Sequence, residues 1–279
     1  MTRTGRALSR ILIRSLVGGF IGLVIIFMIA PLVVIVGASF DGGEHSFINF
    51  PPQDLSLRWY WAIPPRFISA LQLSFILALA STFVGLLLGI PAALGIVRGT
   101  LPGRDFIASI FRTPLQIPVV VAGIAFLQAY YALSAVSGVR LADTFVGLLA
   151  GHVFITVPYI VGSVVAVLHR FNMRLEEAAY SLGASKTSTF FRVTLPIIAP
   201  GAYTGALYAF ITSFGDVPIS LFLGGAKFNA FPVEMFTAMQ FDFNSTILAT
   251  STLIILFSIL LMLIAQRLSG VRPAWRKGR

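Results

Sequence analysis

The sequence predicts an all-α integral membrane protein with six transmembrane helices, and three observations predict it. First, only 11% of the 279 residues are charged while 57% are hydrophobic, whereas soluble domains carry roughly a quarter charged residues. Water alone does not solvate such a surface, so the implied solvent is a bilayer. Second, the apolar residues gather into six stretches, each near the ~20 residues that cross the hydrocarbon layer. Third, the net charge of +10 sits in short segments between those stretches. That distribution reads as membrane topology and not as a nucleic-acid surface.

The first stretch, 15–38, is too long for a signal-peptide core and is followed by further spans, so it reads as a retained helix. The second, 68–97, carries Leu86-Leu87-Leu88 and ends at Arg98. The third, 107–134, contains Pro114 and Pro118; the fourth is 144–168 and the fifth 197–223. The sixth, 246–266, is the most uniformly apolar. Pro91, Pro114, Pro118, Pro158 and Pro218 would break soluble helices. In a membrane bundle, neighbouring groups satisfy the backbone they free.

Lys and Arg set the orientation. Arg3, Arg6, Arg10 and Arg14 precede the first span, and Arg98 and Arg104 follow the second. Arg170, Arg174, Lys186 and Arg192 lie between the fourth and fifth, and Arg267, Arg272, Arg276, Lys277 and Arg279 end the chain. The opposite side has Arg58, Arg66, Arg140 and Lys227 beside Asp41, Glu44, Asp54, Asp143, Glu234 and Asp242. The positive-inside rule therefore predicts both termini in the cytoplasm. The expected organisation is a cytoplasmic N-terminus at 1–14, a membrane domain at 15–268 and a basic tail at 269–279. The outer segment 39–66 holds Trp59-Tyr60-Trp61, which suits an interfacial aromatic anchor or contact with an external partner.

Several chemistries are excluded. With no Cys there is no disulfide, thiolate metal site or cysteine nucleophile. His45, His152 and His169 lie far apart with no ligand spacing, so no metal site is expected. Gly183-Ala184-Ser185-Lys186-Thr187 has Ser where a P-loop needs its second Gly. No carboxylate pair or His cluster falls within the spans, so no catalytic residue is assigned and the chain is not read as an enzyme.

A polar island of about 27 residues, 170–196, separates the fourth and fifth spans. Leu175, Ala178, Ala179 and Leu182 fall at i, i+3, i+4 and i+7, one face of a short helix. Glu176 and Glu177 stand near its start, where the helix dipole favours anions. Gly183 suits its end, since Gly takes the left-handed conformation readily. Ser185 suits the cap of a second short helix carrying Phe190 and Phe191, and Leu195-Pro196 opens span five. Periodicity alone leaves two readings: an amphipathic loop on the membrane, or a cytoplasmic bracket for a soluble partner.

The island also resembles a known motif. Glu177-Ala178-Ala179, three residues, Gly183, nine residues, then Val193-x-Leu195-Pro196 is similar to the EAA loop of ABC importer permeases, with Val193 where Ile is usual. Leu57-Arg58-Trp59-Tyr60, the segment from Arg98-Gly99-Thr100-Leu101-Pro102-Gly103-Arg104, Ser213-Phe214-Gly215-Asp216 and Phe231-Pro232-Val233-Glu234-Met235 resemble the spermidine/putrescine permeases of the second-subunit type. The resemblance implies the type I importer permease fold in a bacterial inner membrane. It implies a second permease subunit, a different chain in the polyamine subgroup, together with two cytoplasmic ATPase subunits and an external binding protein. It assigns Glu176, Glu177, Ala178, Ala179, Ser181, Leu182, Gly183 and Ala184 to a coupling helix seated in the ATPase. ATP and Mg²⁺ would then be held by that ATPase, with no cofactor on this chain. Six spans, no repeat and one such motif also suit one half of a symmetric assembly.

Polar residues inside spans are costly and tend to face a bundle interior. Span five carries Thr204, Tyr208, Thr212, Asp216 and Ser220 at steps of four, and span four carries His152, Thr156, Tyr159 and Ser163. Span three ends with Gln128, Tyr130 and Tyr131. Interhelical hydrogen bonding would use any one of them; two stripes together suit a pore lining. The expected pathway set is Gln128, Tyr131, Thr156, Tyr159, Thr204, Tyr208, Thr212 and Asp216. Asp216 follows Pro196 by 20 residues, which places it roughly 30 Å along the span, near the outer mouth. A carboxylate among aromatic rings suits a polyamine through charge and cation–π attraction; an interfacial carboxylate, or a partner to Arg140, is the plainer reading. Iron(III), thiamine, sulfate, an opine or a phosphonate are alternative cargoes within the same family. A stand-alone carrier or a membrane enzyme fits the coupling-type loop poorly.

Overall fold

The computed structural model describes residues 3–43, 48–100, 102–225, 227–241 and 243–268. The expected basic tail at 269–279, and Glu44, His45, Leu101 and Asp242, lie outside them. Among the described residues the regular structure is helical apart from one isolated antiparallel bridge, Asp41 to Leu55. Six helices among the described residues are long and apolar enough to cross a membrane, as the sequence predicts. They lie within α1 (Arg3–Ala38), α3 (Pro65–Arg98), α5 (Val119–Ser137), α6 (Phe145–Leu168), α9 (Leu195–Phe214) with its lead-in, and α12 (Ser245–Leu268). Short helices join them: α2 (Arg58–Trp61), α4 (Arg104–Arg112), α7 (Arg174–Ser181), α8 (Lys186–Thr189), α10 (Pro218–Leu223) and α11 (Phe231–Phe241).

Two expected spans are redrawn. The stretch 107–134 is not one helix: α4 gives way to a 3₁₀ turn at Thr113–Leu115, and α5 starts only at Val119. Pro118 stands before α5 with ψ of 125°, and a proline drives the residue ahead of it out of the α region. Arg112 and Gln116 also make a spanning segment costly there. The stretch 197–223 likewise ends early, at Phe214, and α10 starts afresh at Pro218. Pro218 has no N–H to give to residue 214, and its ring would strike that carbonyl. At the other end α9 extends backwards through a π-helical turn, Phe190–Thr194, into α8. Span four matches its expected limits, because Thr144 caps α6 by accepting from the Gly147 N–H at 3.1 Å.

The chain divides into two compact units, Met1–Pro64 with Ala238–Leu261, and Pro65–Thr237 with Met262–Arg279. In the first, Asp41 organises the segment after α1. Its carboxylate accepts from the Gln53 N–H at 3.0 Å and from Asn49 Nδ2 at 3.2 Å, and its carbonyl accepts from Trp59 Nε1 at 2.9 Å. Tyr60 pairs with Ser39 Oγ at 2.7 Å. Of the three expected anchor aromatics, only Trp61 is left with its ring exposed.

The core of the second unit is α3, α6 and α9, packed through Ala93, Val157, Ile160, Val161, Val164, Ile198, Ala202 and Ala209. In lipid there is little hydrophobic drive between helices, so close backbone approach through small residues matters more. Gly201 and Gly205, one turn apart on α9, supply it: a Cβ on Gly205 would lie 2.7 Å from Ile160 Cα, and one on Gly201 2.8 Å from the Ser163 carbonyl. Both obstacles are backbone, so a side chain there pushes the helices apart. Gly205→Val is expected to destabilise the protein by about 1–3 kcal/mol, read as a lower melting temperature in detergent. Gly162→Val, where a Cβ meets nothing within 4 Å, should leave it unchanged.

Candidate functional site

The island folds as a bracket. The first turn of α7 contains Glu176 and Glu177. The helix ends at Leu182, and Gly183 follows with φ of +85°. Its end is closed by the Ala184 N–H on the Ala179 carbonyl at 3.0 Å and the Gly183 N–H on the Tyr180 carbonyl at 2.9 Å, the double closure that a left-handed residue permits. Ser185 caps α8 by accepting from the Ser188 N–H at 3.2 Å. Phe190 and Phe191 fall in the π-helical turn and not in α8 itself.

Among the described residues most of the apolar face of α7 is uncovered. Leu182 is 89% exposed, and Leu175, Ala178, Tyr180 and Ser181 are exposed with it. Glu177 also points out to solvent, while Ala179 and Ala184 are half-buried. Glu176 departs from the expected grouping. It is 6% exposed and faces inward, where Arg98 Nη1 donates to its Oε1 at 2.9 Å and Thr194 Oγ1 donates to the same oxygen. Successive helical residues point about 100° apart, so the two acidic neighbours serve different sides of α7.

The expected pathway residues separate into groups. Tyr159 and Tyr208 stack, centroids 6.2 Å apart at 23°, with Tyr208 exposed and Tyr159 half-buried. Thr204 is exposed on α9 and bonds its own helix at Pro200; Thr212 is half-buried. Gln128 and Tyr131 lie exposed three residues apart on α5. Thr156 does not join them: it is fully buried and donates to the Val153 carbonyl. Asp216 leaves the expected stripe because α9 has ended. It is 7% exposed and accepts the Ser220 N–H at 3.0 Å, ordering the start of α10. Among the described residues no ion pair links it to Arg140.

Asp216 belongs instead to a buried network. His152 is fully buried, with Nδ1 2.8 Å from Ser213 Oγ and Nε2 3.1 Å from Ser220 Oγ and 3.9 Å from Asp216 Oδ2. Ser81 Oγ on α3 donates to Ser213 Oγ at 2.9 Å. One consistent donor order runs from Ser81 to Ser213 to His152 Nδ1, with Nε2–H directed at Ser220 and Asp216. The bond between Ser81 and Ser213 is not legible in the sequence, since serines in spans are unremarkable there. The Arg98–Glu176 pair escaped it too, although each residue flanks a span end on the expected cytoplasmic side.

The family described as "Binding-protein-dependent transport system inner membrane component" matches residues 85–272. The chain is 25% identical to the spermidine/putrescine transport system permease protein PotC of Escherichia coli K12, over 91% of this chain and 93% of that one. It is 29% identical to the putrescine transport system permease protein PotI of the same strain, over 82% of each. It is 31% identical to a probable sulfate transport system permease protein, cysT, of Chlorokybus atmophyticus, over 72% of this chain and 76% of that one. Among solved structures, a bacterial ABC transporter involved in alginate import aligns over 96% of this chain and 98% of its own, with a TM-score of 0.73 at 16% identity.

Proposed function

Because the chain belongs to the family of binding-protein-dependent transport inner membrane components, and so is a multi-pass permease subunit of an ABC importer and not itself an enzyme, we propose that it forms half of a polyamine pathway. An ATPase and a substrate-binding protein are partners of such subunits. In this reading the ATPase seats on the exposed face of α7, and ATP and Mg²⁺ stay with it. Both termini and the bracket lie in the cytoplasm, following the excess of Arg and Lys at Arg98, Arg104, Arg170, Arg174, Lys186 and Arg192. The other half is a different chain, as in the polyamine subgroup the sequence resembles.

The observation that supports the cargo is the likeness to two polyamine permeases along most of the chain. The chemistry agrees with it. The buried carboxylate of Asp216 and the Tyr159–Tyr208 pair suit a cation, which carboxylate charge and aromatic faces attract. A second reading, an oxyanion cargo, is favoured by the 31% identical sulfate relative. Uptake of radiolabelled putrescine and of sulfate into proteoliposomes holding the full complex, with its own binding protein, separates the two. Putrescine accumulation that unlabelled spermidine suppresses is the expected result; accumulation of sulfate alone overturns the cargo assignment.

A further inference from the structure

Three elements meet at one buried carboxylate oxygen. Arg98 is the last residue of α3, Glu176 lies in the first turn of α7, and Thr194 ends the turn that leads into α9. Arg98 and Thr194 both donate to Glu176 Oε1. The Arg98 guanidinium also lies over the Phe171 ring, 4.8 Å from its centroid, in the link between α6 and α7. The carboxyl side chain is 8% exposed and that of Arg98 is 24% exposed, so water screens this pair far less than a surface one. Among the described residues Arg98 Nη2 is buried without an acceptor. The guanidinium is therefore held in this place for one carboxylate, at the expense of its own hydrogen-bonding capacity.

The connectivity shows what such a pairing does. The short link 169–173 and the turn at Gly183 are the covalent connections of α7 to the rest. Those two points alone would let a short helix pivot. A load on its outer face, at Glu177 and Leu182, would be spent on that pivot. Glu176, one residue from Glu177 and turned inward, blocks it.

We infer that Arg98, Glu176 and Thr194 form a positioning clasp that makes the bracket move as one body with the ends of α3 and α9. The clasp deepens the reading of α7 as the ATPase seat and rests on it. It explains why an acidic residue that never reaches the outer face stands beside one that does.

The cysteine-free chain allows two spin labels in the assembled transporter, at Arg174→Cys on α7 and Leu88→Cys on α3, both exposed. Their separation is measured without nucleotide and after trapping with ATP and vanadate. With the clasp intact the separation is expected to stay the same in both states. With Arg98→Gln it should change with nucleotide or spread into a broad distribution, and Arg98→Lys, which keeps the charge, should restore part of the narrow one. Putrescine uptake per ATP hydrolysed should fall roughly fivefold or more with Arg98→Gln while the ATPase still co-purifies. A separation that already changes with nucleotide in the parent, or an Arg98→Gln pattern identical to the parent's, overturns the clasp. The seat itself is tested in the same preparations by Glu177→Lys. An ATPase still bound and coupled there sinks the seat alone, and the label distances still decide the clasp.

Discussion

Glu177→Lys is expected to leave membrane insertion and folding intact while removing ATP-driven uptake. The side chain is exposed, and among the described residues its carboxylate holds no hydrogen bond or ion pair, so the fold loses little by the change. The seat loses much more. Interface energy concentrates at a few central residues, each worth about 2 kcal/mol or more, which is roughly thirtyfold in affinity. Reversing a charge beside an exposed apolar knob such as Leu182 adds repulsion to the lost contact. Gly183→Trp acts on the same surface by another route. A Cβ there meets nothing within 4 Å, but the φ of +85° strains any L side chain by about 1–2 kcal/mol. Gly183→Ala carries the strain without the bulk and serves as its control. The measurement is co-purification of the ATPase with the tagged chain, together with uptake and ATP hydrolysis in proteoliposomes. Normal co-purification and normal uptake in both Glu177→Lys and Gly183→Trp would remove the coupling role from α7.

What the sequence reveals, and what it hides, follows from the range of the interactions. Span four is legible to its ends because Thr144 and the apolar run after it act within four residues. The bracket is legible for the same reason: Gly183 and Ser185 close and open helices through bonds to near neighbours. Spans three and five mislead because hydropathy alone does not register the breaks at Pro118 and Pro218. Those prolines act on the backbone while their neighbours stay apolar. The direction of Glu176 is hidden because Arg98 lies 78 residues away, and a helical wheel does not say which face meets another span. The Ser81–Ser213 bond, across 132 residues, is hidden more completely, since neither residue breaks any local pattern. The spacing of the coupling motif is a local signal; the partners that hold it in place are not.

His152→Leu is expected to cost the fold far more than its size change suggests, and Asp216→Asn far less. The ring of His152 is the hub between Ser213 and Ser220, 2.8 and 3.1 Å away. Leucine fills the space but takes the ring acceptor from the Ser213 hydroxyl, which keeps only the bond it accepts from Ser81, and an orphaned buried donor costs about 1–3 kcal/mol. It also removes the ring nearest the Asp216 carboxylate. Asparagine at 216 keeps one oxygen for the Ser220 N–H, and so keeps the start of α10, while the charge is gone. The two variants therefore separate architecture from cargo chemistry. His152→Leu should lower the melting temperature of the purified complex and reduce uptake in step with the loss of folded protein. Asp216→Asn should melt near the parent yet raise the KM for putrescine roughly tenfold, the effect of about 1.4 kcal/mol of lost attraction. Unchanged uptake and unchanged substrate choice in Asp216→Asn would leave Asp216 as the group that orders α10 and nothing more. In that case the cation preference must reside in the Tyr159–Tyr208 pair or in the other permease subunit.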